Sequence, residues 1–307
     1  MIKTIFDSYG GVILPVVFVI LFILETKFQL RIRVMSRWKR IFTNFIVSIP
    51  SFALLRLMFI PAMVWLAYEN KQWHFGLNYL YNASSWLQFA VAFLLLDYSN
   101  YLWHIVLHKL PLMWRFHLVH HTDLDLDVTT AFRFHFGELI GSVFFRGAAV
   151  LLIGASPLVV LIYEIVFEAA TEFHHSNMKL PYKFEKALNL LFVTPRMHGI
   201  HHSMIKRETD SNFSIIFSFW DRIHKTVRLN VPQNEIVTGV PVYPNEHELT
   251  IWNLLKLPFT KIREWKESDR PEGGNKNELK NDSEIKRSYF TPVTKLTTKT
   301  FRKIVRQ

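Results

Sequence analysis

The sequence predicts an all-α integral membrane protein, with about four transmembrane spans and a cytosolic helical cap rich in histidine. Three observations lead to this fold class. Half of the 307 residues are hydrophobic, and the mean hydropathy is +0.14. Several apolar segments approach the ~20 residues needed to cross a bilayer. The sequence contains 14 histidines, and all but His74, His224 and His247 lie between residues 104 and 202.

The predicted spans follow one another along the first 173 residues. The first covers residues 9–28 and lacks a cleavage site, so it is interpreted as an anchor. The basic loop after it, residues 27–40, is expected in the cytoplasm. A second span covers residues 41–68 and is long enough to tilt or kink at Pro50 and Pro61. Residues 86–103 form a third.

The last apolar part is a pair of shorter segments. Residues 139–153 and 158–173 are separated by Gly154 and Pro157, and each is short for a full span. They therefore form either a transmembrane hairpin or a re-entrant pair. With either arrangement, every histidine cluster and the C-terminal tail lie on the cytoplasmic side.

Four regions are expected along the chain. Residues 1–84 hold the first spans and the basic loop, and residues 85–228 hold the histidines. Residues 229–270 form a cytosolic extension with short strands and turns. Residues 271–307 form a basic, disordered tail. The net charge of +11 is assigned to membrane orientation rather than to nucleic acid, because basic residues flank the apolar spans.

The histidines follow three spaced motifs. His104 and His108 form HxxxH, residues 117–121 form HxxHH, and residues 198–202 form a second HxxHH. Two such HxxHH windows arise by chance with a probability of order one in a thousand or less. On a helix, positions i and i+4 lie about 40° apart and ~6 Å along the axis, so two imidazoles can reach one metal. The motifs therefore predict metal binding.

Ligand type alone leaves the metal open. Imidazole suits zinc, copper, iron and nickel, whereas a structural zinc needs about four ligands. Eight or nine histidines are excessive for one such site and suit two metals. The sequence has no cysteine, which excludes thiolate zinc sites, iron–sulfur clusters and thiol nucleophiles. For histidines outside the repeats, an ordinary structural role is the better interpretation.

The motifs in their order resemble the fatty acid hydroxylase/sterol desaturase superfamily, which are membrane-bound, histidine-rich di-iron oxygenases. The resemblance covers roughly residues 85–225 and rests on DYSNYLWHIVLH, WRFHLVHHTDLDLDVTTAFRFHFGE, HHSNMKLP and TPRMHGIHHSMIKRETDSNFS. It implies the following metal ligands: His104, His108, His117, His120, His121, His175, His198, His201 and His202. Further candidates, as additional ligands or as groups that orient the ligands, are His135, His174, Asp97, Arg133, Glu138, Asp127, Asp210 and Asn212.

The resemblance further implies two iron ions, O2 as co-substrate and a lipid substrate. Because no HPGG-type haem motif occurs, electrons are expected from a separate reductase or a cytochrome b5- or ferredoxin-like protein. Hydroxylation of a lipid C–H bond is the leading hypothesis, and desaturation or methyl oxidation at the same site is the first alternative. A membrane zinc hydrolase using Glu138 and Glu172, or a metal-binding protein without catalysis, would be less consistent with a nearly all-imidazole site gathered at one face.

Three alternating aspartates follow the first HxxHH motif. Asp123, Asp125 and Asp127 lack the central glycine and final glutamate of a calcium loop. They are expected to be solvated loop acids beside the metal site.

Overall fold

The computed structural model describes residues 10–265, which are mostly helical and contain no β-strand. Short 3₁₀ segments and turns join the helices. In chain order the helices are α1 (Gly11–Lys27), α2 (Arg37–Leu54), α3 (Ile60–Trp73), α4 (Ser85–Lys109), α5 (Pro111–His121), α6 (Phe136–Ile153), α7 (Pro157–His175), α8 (Tyr182–Leu188), α9 (Pro195–His201), α10 (Lys206–Thr209), α11 (Phe219–Ile223) and α12 (Ile251–Lys256). The predicted basic tail lies outside the described residues.

Three segments of the described chain are long and apolar enough to cross a membrane. They are Arg37–Tyr79 with 43 residues, α4 with 25 and α6 with 18. Helix α1 has 17 residues, and α7 has 19 but carries three glutamates. The predicted all-α membrane fold class is confirmed.

The longest of these segments is not one regular helix. A π-helical turn at Leu55–Phe59 separates α2 from α3, between Pro50 and Pro61. A proline inside a helix lacks an N–H and frees a carbonyl one turn earlier, so wide turns and kinks are common beside it. The irregularity falls between the two prolines named by the sequence.

A tight turn joins α6 to α7. Gly154 ends α6 in the left-handed conformation at φ +73°, where a side chain would also meet Tyr79 at 3.1 Å. The Ser156 side chain then accepts a hydrogen bond from the Val159 N–H and caps α7. Residues from α3, α4, α6 and α7 pack into the main apolar core, including Met63, Leu96, Val150 and Tyr163.

The extension after residue 228 differs from the prediction. Short strands were expected, but the described part of this segment has turns, two 3₁₀ turns (Glu246–Glu248 and Leu257–Phe259) and the short helix α12, with one isolated bridge between Ser203 and Thr238. A strand needs a partner along its length, and the extension instead packs side chains individually. Leu254 and Val240 join a core with Val47 and Leu118, which covers the histidine-bearing α5.

A buried ionic cluster ties α2 to the loop that follows α5. The Arg40 side chain donates to Asp123 at 2.7 Å and to Asp127 at 2.7 Å. Asn44, one turn further along α2, donates to Asp123 and accepts from Arg133. Each of these side chains is at most 2% exposed. The expectation that the aspartates are solvated loop acids was therefore wrong.

The cluster explains how a loop of acids becomes rigid. Burial alone raises the pKa of Asp123, but the guanidinium of Arg40 overrides it and holds that pKa well below its ordinary value. The Asp125 carboxylate accepts from the Val34 and Met35 N–H groups at 2.9 Å each, which attaches the basic loop. The sequence showed these acids but not the arginine that pairs with them, because the pair is separated by 83 positions.

Candidate metal centre

The structure brings nine histidines into two adjacent groups. Their candidate ligand nitrogens lie within 4.8 Å of one another in each group. The first group consists of His104, His108, His117, His121 and His201. The second consists of His120, His175, His198 and His202. These are the nine residues that the resemblance implies as metal ligands.

Each HxxHH motif contributes to both groups. His117 and His121 belong to the first group, and His120 between them belongs to the second. Neighbouring helical residues point about 100° apart, so His120 and His121 cannot approach one ion from the same side. In the other motif the assignment is reversed, since His198 and His202 join the second group and His201 the first.

Backbone carbonyls set the tautomers of three rings. The Nδ1 atoms of His104, His175 and His201 lie 2.7–2.8 Å from the carbonyl oxygens of Phe213, Thr171 and Ser211 respectively. A carbonyl only accepts, so each Nδ1 carries the proton and donates. In the neutral ring Nε2 then keeps a lone pair, which is the form that binds a metal.

Four of the five Nε2 atoms of the first group are left without partners. Those of His108, His117, His121 and His201 are buried and make no hydrogen bond within residues 10–265. Buried nitrogen atoms in proteins are nearly always paired. A shared cation would satisfy all of these lone pairs at once, so the donor set fits a metal ion.

The second group converges still more closely. The Nε2 of His175 lies 3.0 Å from those of His120 and His198, and His198 lies 3.1 Å from His202. His175 can only accept there, because its Nδ1 donates to Thr171. If Nε2 of His198 carries a proton, that proton can form a hydrogen bond with His175 or with His202, but not with both. A cation among the four Nε2 atoms again resolves the conflict.

Burial keeps the rings neutral. It lowers the pKa of His201 to about 3, although the hydrogen bond to the Ser211 carbonyl opposes the shift. Burial, reinforced by neighbouring histidines, also lowers the pKa of His121 and His202 well below the ordinary value. Neutral imidazole is the form required for ligation.

Two carboxylates lie near Nδ1 atoms of histidines in the first group. Glu138, on the first turn of α6, lies 3.1 Å from Nδ1 of His117. Asp210 lies 3.6 Å from Nδ1 of His108 and also pairs with Lys109. Such partners orient a ligating imidazole and raise its basicity.

Four of the other candidates make no hydrogen bond to a ligand ring. Asp97 accepts from Trp220 at 2.8 Å, and Asn212 holds the Met197 and Arg228 backbone. His135 begins α6, where its Nδ1 accepts from the Gly137 N–H at 3.0 Å. Asp127 pairs with Arg40.

Arg133 acts on the ligands through the backbone. Its Nε donates to the Val119 carbonyl at 2.9 Å and its Nη2 donates to the Thr122 hydroxyl at 3.0 Å. It thereby satisfies the C-terminal end of α5, where His120 and His121 lie.

The structure separates His174 from His175. The Nδ1 of His174 donates to the Ile215 carbonyl at 3.1 Å, and its Nε2 is buried without a partner. Its ring centroid is 4.0 Å from that of His198. His174 thus lies beside the second group without belonging to it.

The sequence motifs did not identify one residue that supports the site. Glu25, at the end of α1, is fully buried and accepts from the Val128 and Asn177 N–H groups at 3.0 and 2.8 Å. It also pairs with Arg37 at 2.7 Å. The carboxylate joins α1 both to the loop after α5 and to the turn after His175. An acid at the end of an apolar span, beside a basic loop, was the available signal.

A cavity extends from the histidines between the spans. It holds about 960 Å³ including its open mouth. Its histidine wall contains His104, His117, His120, His174, His175 and His198, so both groups border it. Phe52, Leu55, Phe132 and Leu139 supply much of the apolar wall.

Fold and site together define a helical membrane protein with two buried histidine groups beside an apolar cavity. Residues 89–226 match the family model described as fatty acid hydroxylase. That segment contains all nine histidines of the two groups. Residues 89–226 are thus similar to the fatty acid hydroxylase family.

Curated relatives act on several kinds of lipid, as their names state. The chain is similar to the ornithine lipid hydroxylase of Rhizobium tropici (29% identity over 44% of this chain and 40% of the relative). It is also similar to human alkylglycerol monooxygenase (27% identity over 57% and 37%) and human cholesterol 25-hydroxylase (29% identity over 44% and 49%). The chain thus covers less than half of each relative's length. No solved structure matches it significantly.

Proposed function

We propose that the protein is a membrane-bound, O2-dependent lipid monooxygenase that holds two iron ions and hydroxylates a C–H bond of its substrate. The observation that carries this proposal is the pair of histidine groups bordering one cavity between apolar helices. The names of the relatives support a hydroxylase that acts on a lipid.

One ion would be held by the five-histidine group and the other by the four-histidine group. Bound iron would supply the activation of O2, with electrons delivered by a separate donor protein. The chain's own residues have other tasks. Phe213, Thr171 and Ser211 keep three Nε2 lone pairs available through their carbonyls. The Glu138 carboxylate accepts a hydrogen bond from the Nδ1–H of His117.

The cavity would bind the lipid and orient it. Apolar walls at Phe52, Phe132 and Leu139 favour a hydrocarbon chain and exclude water. Holding one C–H bond at a fixed distance from the histidine wall selects the position that reacts. Because the same arrangement serves desaturation or methyl oxidation, those outcomes stay as the first alternative.

The zinc hydrolase alternative is less consistent with the donor set. A hydrolytic centre commonly includes carboxylate ligands and a general base near a metal-bound water. Neither histidine group contains a carboxylate. Glu138 approaches Nδ1, the side of His117 away from the group, and Glu172 belongs to neither group.

Isotope labelling tests the proposed reaction. Membranes that contain the protein and an electron-donor system should transfer one atom of 18O from 18O2 into a lipid. Label from H2(18)O should not appear in that product. Lipid extracts would be compared by mass spectrometry with those from membranes carrying the His121→Ala variant. Hydrolysis products labelled from water would contradict the proposal.

The sidedness of the site is a separate proposal. Basic residues at 27–40 favour a cytoplasmic loop, and the apolar segments predicted from the sequence would return the histidines and the C-terminus to that side. A reporter fused after Gln307 should therefore be active only when it functions in the cytoplasm. Activity of a reporter that works only outside the cytoplasm would overturn this topology, whereas a fusion after residue 35 provides the internal comparison.

A further inference from the structure

A polar cluster lies among the apolar spans beside the cavity. Arg146 of α6 forms an ion pair with Glu164 of α7, and the two residues are 7% and 4% exposed. The guanidinium also lies over the rings of Phe59 and Phe167, at 4.7 and 4.8 Å. Ionisable residues at membrane depth are costly and commonly mark a functional site.

One carboxylate of this cluster is open to the cavity. Glu168 lies one helical turn after Glu164 and lines the cavity together with Ser142 and Arg146. Neither Glu168 nor Ser142 has a hydrogen-bond partner within residues 10–265. The pair is therefore available to a ligand.

The other polar side chains in the wall are already engaged. Ser48 and Ser51 donate to the Phe45 and Phe134 carbonyls, at 2.7 Å each. Thr171 donates to the Phe167 carbonyl at 2.8 Å. Asn100 donates to the Tyr163 hydroxyl at 2.9 Å, and Glu138 accepts from His117. Among the hydroxyl, amide and carboxylate side chains of the described wall, Glu168 and Ser142 are thus the two without a hydrogen bond.

Charge limits what these two residues can bind. When ionised, Arg146, Glu164 and Glu168 sum to a charge of −1 (one positive and two negative). A carboxylate among apolar helices is unfavourable unless it takes up a proton or is paired, and a donor or a cation beside it stabilises the ionised form. An anionic group in the same place would add a second unpaired negative charge.

The distance to the histidines follows from the helix. Glu168 precedes His175 by seven residues, which is two turns of α7, so both lie on one face about 10 Å apart along the axis. Phe167, Phe132 and Leu139 line the wall of the same cavity. If the polar group of a lipid bound at Glu168, a carbon about 10 Å further along the lipid would therefore lie beside the histidine wall.

We infer that Glu168 and Ser142 form a subsite for a hydrogen-bond-donating group of the lipid, such as a hydroxyl, amide or ammonium. This inference rests on the proposed function, because it takes the cavity as the lipid site. The subsite rejects lipids with an anionic group at that position. The ion pair of Arg146 and Glu164 positions the Glu168 carboxylate and does not itself bind the ligand.

Equilibrium binding of three probes with the same chain tests the subsite. Octadecanol, octadecylamine and octadecanoate would be titrated against the iron-loaded protein in detergent micelles. The alcohol and the amine should bind at least about tenfold more tightly than the acid, the size expected of one hydrogen bond to a charged group. Equal binding of the three probes would overturn the inference.

Single substitutions test whether Glu168 and Ser142 cause this difference in affinity. Glu168→Gln keeps the size of the side chain and removes its charge, so the ratio of amine to acid affinity should fall about tenfold. Glu69→Gln, a carboxyl on α3 that does not line the cavity, should keep the wild-type ratio. Ser142→Ala should weaken the binding of octadecanol a few-fold. This variant provides the test if Glu168→Gln does not fold. An unchanged ratio in Glu168→Gln with normal iron content would contradict the inference.

The readout separates this inference from the proposed function. Preserved discrimination without any 18O-labelled product would support the subsite and contradict the monooxygenase proposal. A labelled lipid product together with an unchanged affinity ratio in Glu168→Gln would support the monooxygenase proposal and contradict the subsite.

Discussion

Replacing His121 with alanine is expected to abolish activity and to lower bound iron to about one ion per chain or less. The ring contributes one of the unpartnered Nε2 atoms of the first histidine group. Loss of groups that merely orient ligands costs about 10- to 100-fold, so loss of a ligand should exceed about 100-fold. The same result is expected for alanine at His104, His108, His117, His120, His175, His198, His201 and His202. Iron per chain and product formation are the measurements.

Two matched histidine variants serve as controls. His135→Asn keeps a helix-capping side chain at the start of α6 and should keep both irons. His174→Ala removes a ring beside the second group and should lower activity only a few-fold. Near-normal turnover in two or more of the nine ligand variants would contradict the assignment.

Replacing Arg40 with methionine is expected to destabilise the protein by about 3–5 kcal/mol, the usual result of removing one partner from a buried ion pair. Asp123 and Asp127 would be left buried without their cation. The depressed pKa of Asp123 means that its contribution is present above about pH 4 and is lost as the pH falls further. Denaturant unfolding at neutral pH in micelles measures the free-energy change.

The neighbouring lysine is a suitable control. Lys39 pairs with Glu246 at 2.5 Å, but its side chain is 59% exposed. Lys39→Met should therefore cost at most about 1 kcal/mol. Adding Asp123→Asn and Asp127→Asn to Arg40→Met should recover part of the lost stability, because neutral amides are less costly to bury. Equal stability of the Arg40 and Lys39 variants would show that the ionic cluster does not hold the loop.

The ligand set could be predicted because the spacing is local. His104 with His108, and His117 with His121, are each separated by one helical turn, which the sequence displays directly. The same 100° step per residue also implies that His120 and His121 belong to different groups, although only the structure pairs His120 with His198 and His202. The position of His175 followed from resemblance rather than spacing.

The supporting residues could not be predicted in the same way. Arg40 and Asp123 are 83 positions apart, and Glu25 and Asn177 are 152 apart. Nothing local in the sequence connects such residues. The loop acids were expected in solvent because acids in loops usually are, and the buried guanidinium reverses that expectation. The polar subsite at Glu168 was likewise hidden, since its open carboxylate depends on how α6 packs against α7.

Metal analysis of the protein purified without oxygen tests the central claim most directly. We expect two iron ions per chain, with Mössbauer spectra that show two nitrogen-rich sites, one for each histidine group. Admission of O2 and reductant should then consume O2. A single zinc ion per chain, or a labile and variable metal content with no O2 uptake, would contradict the account.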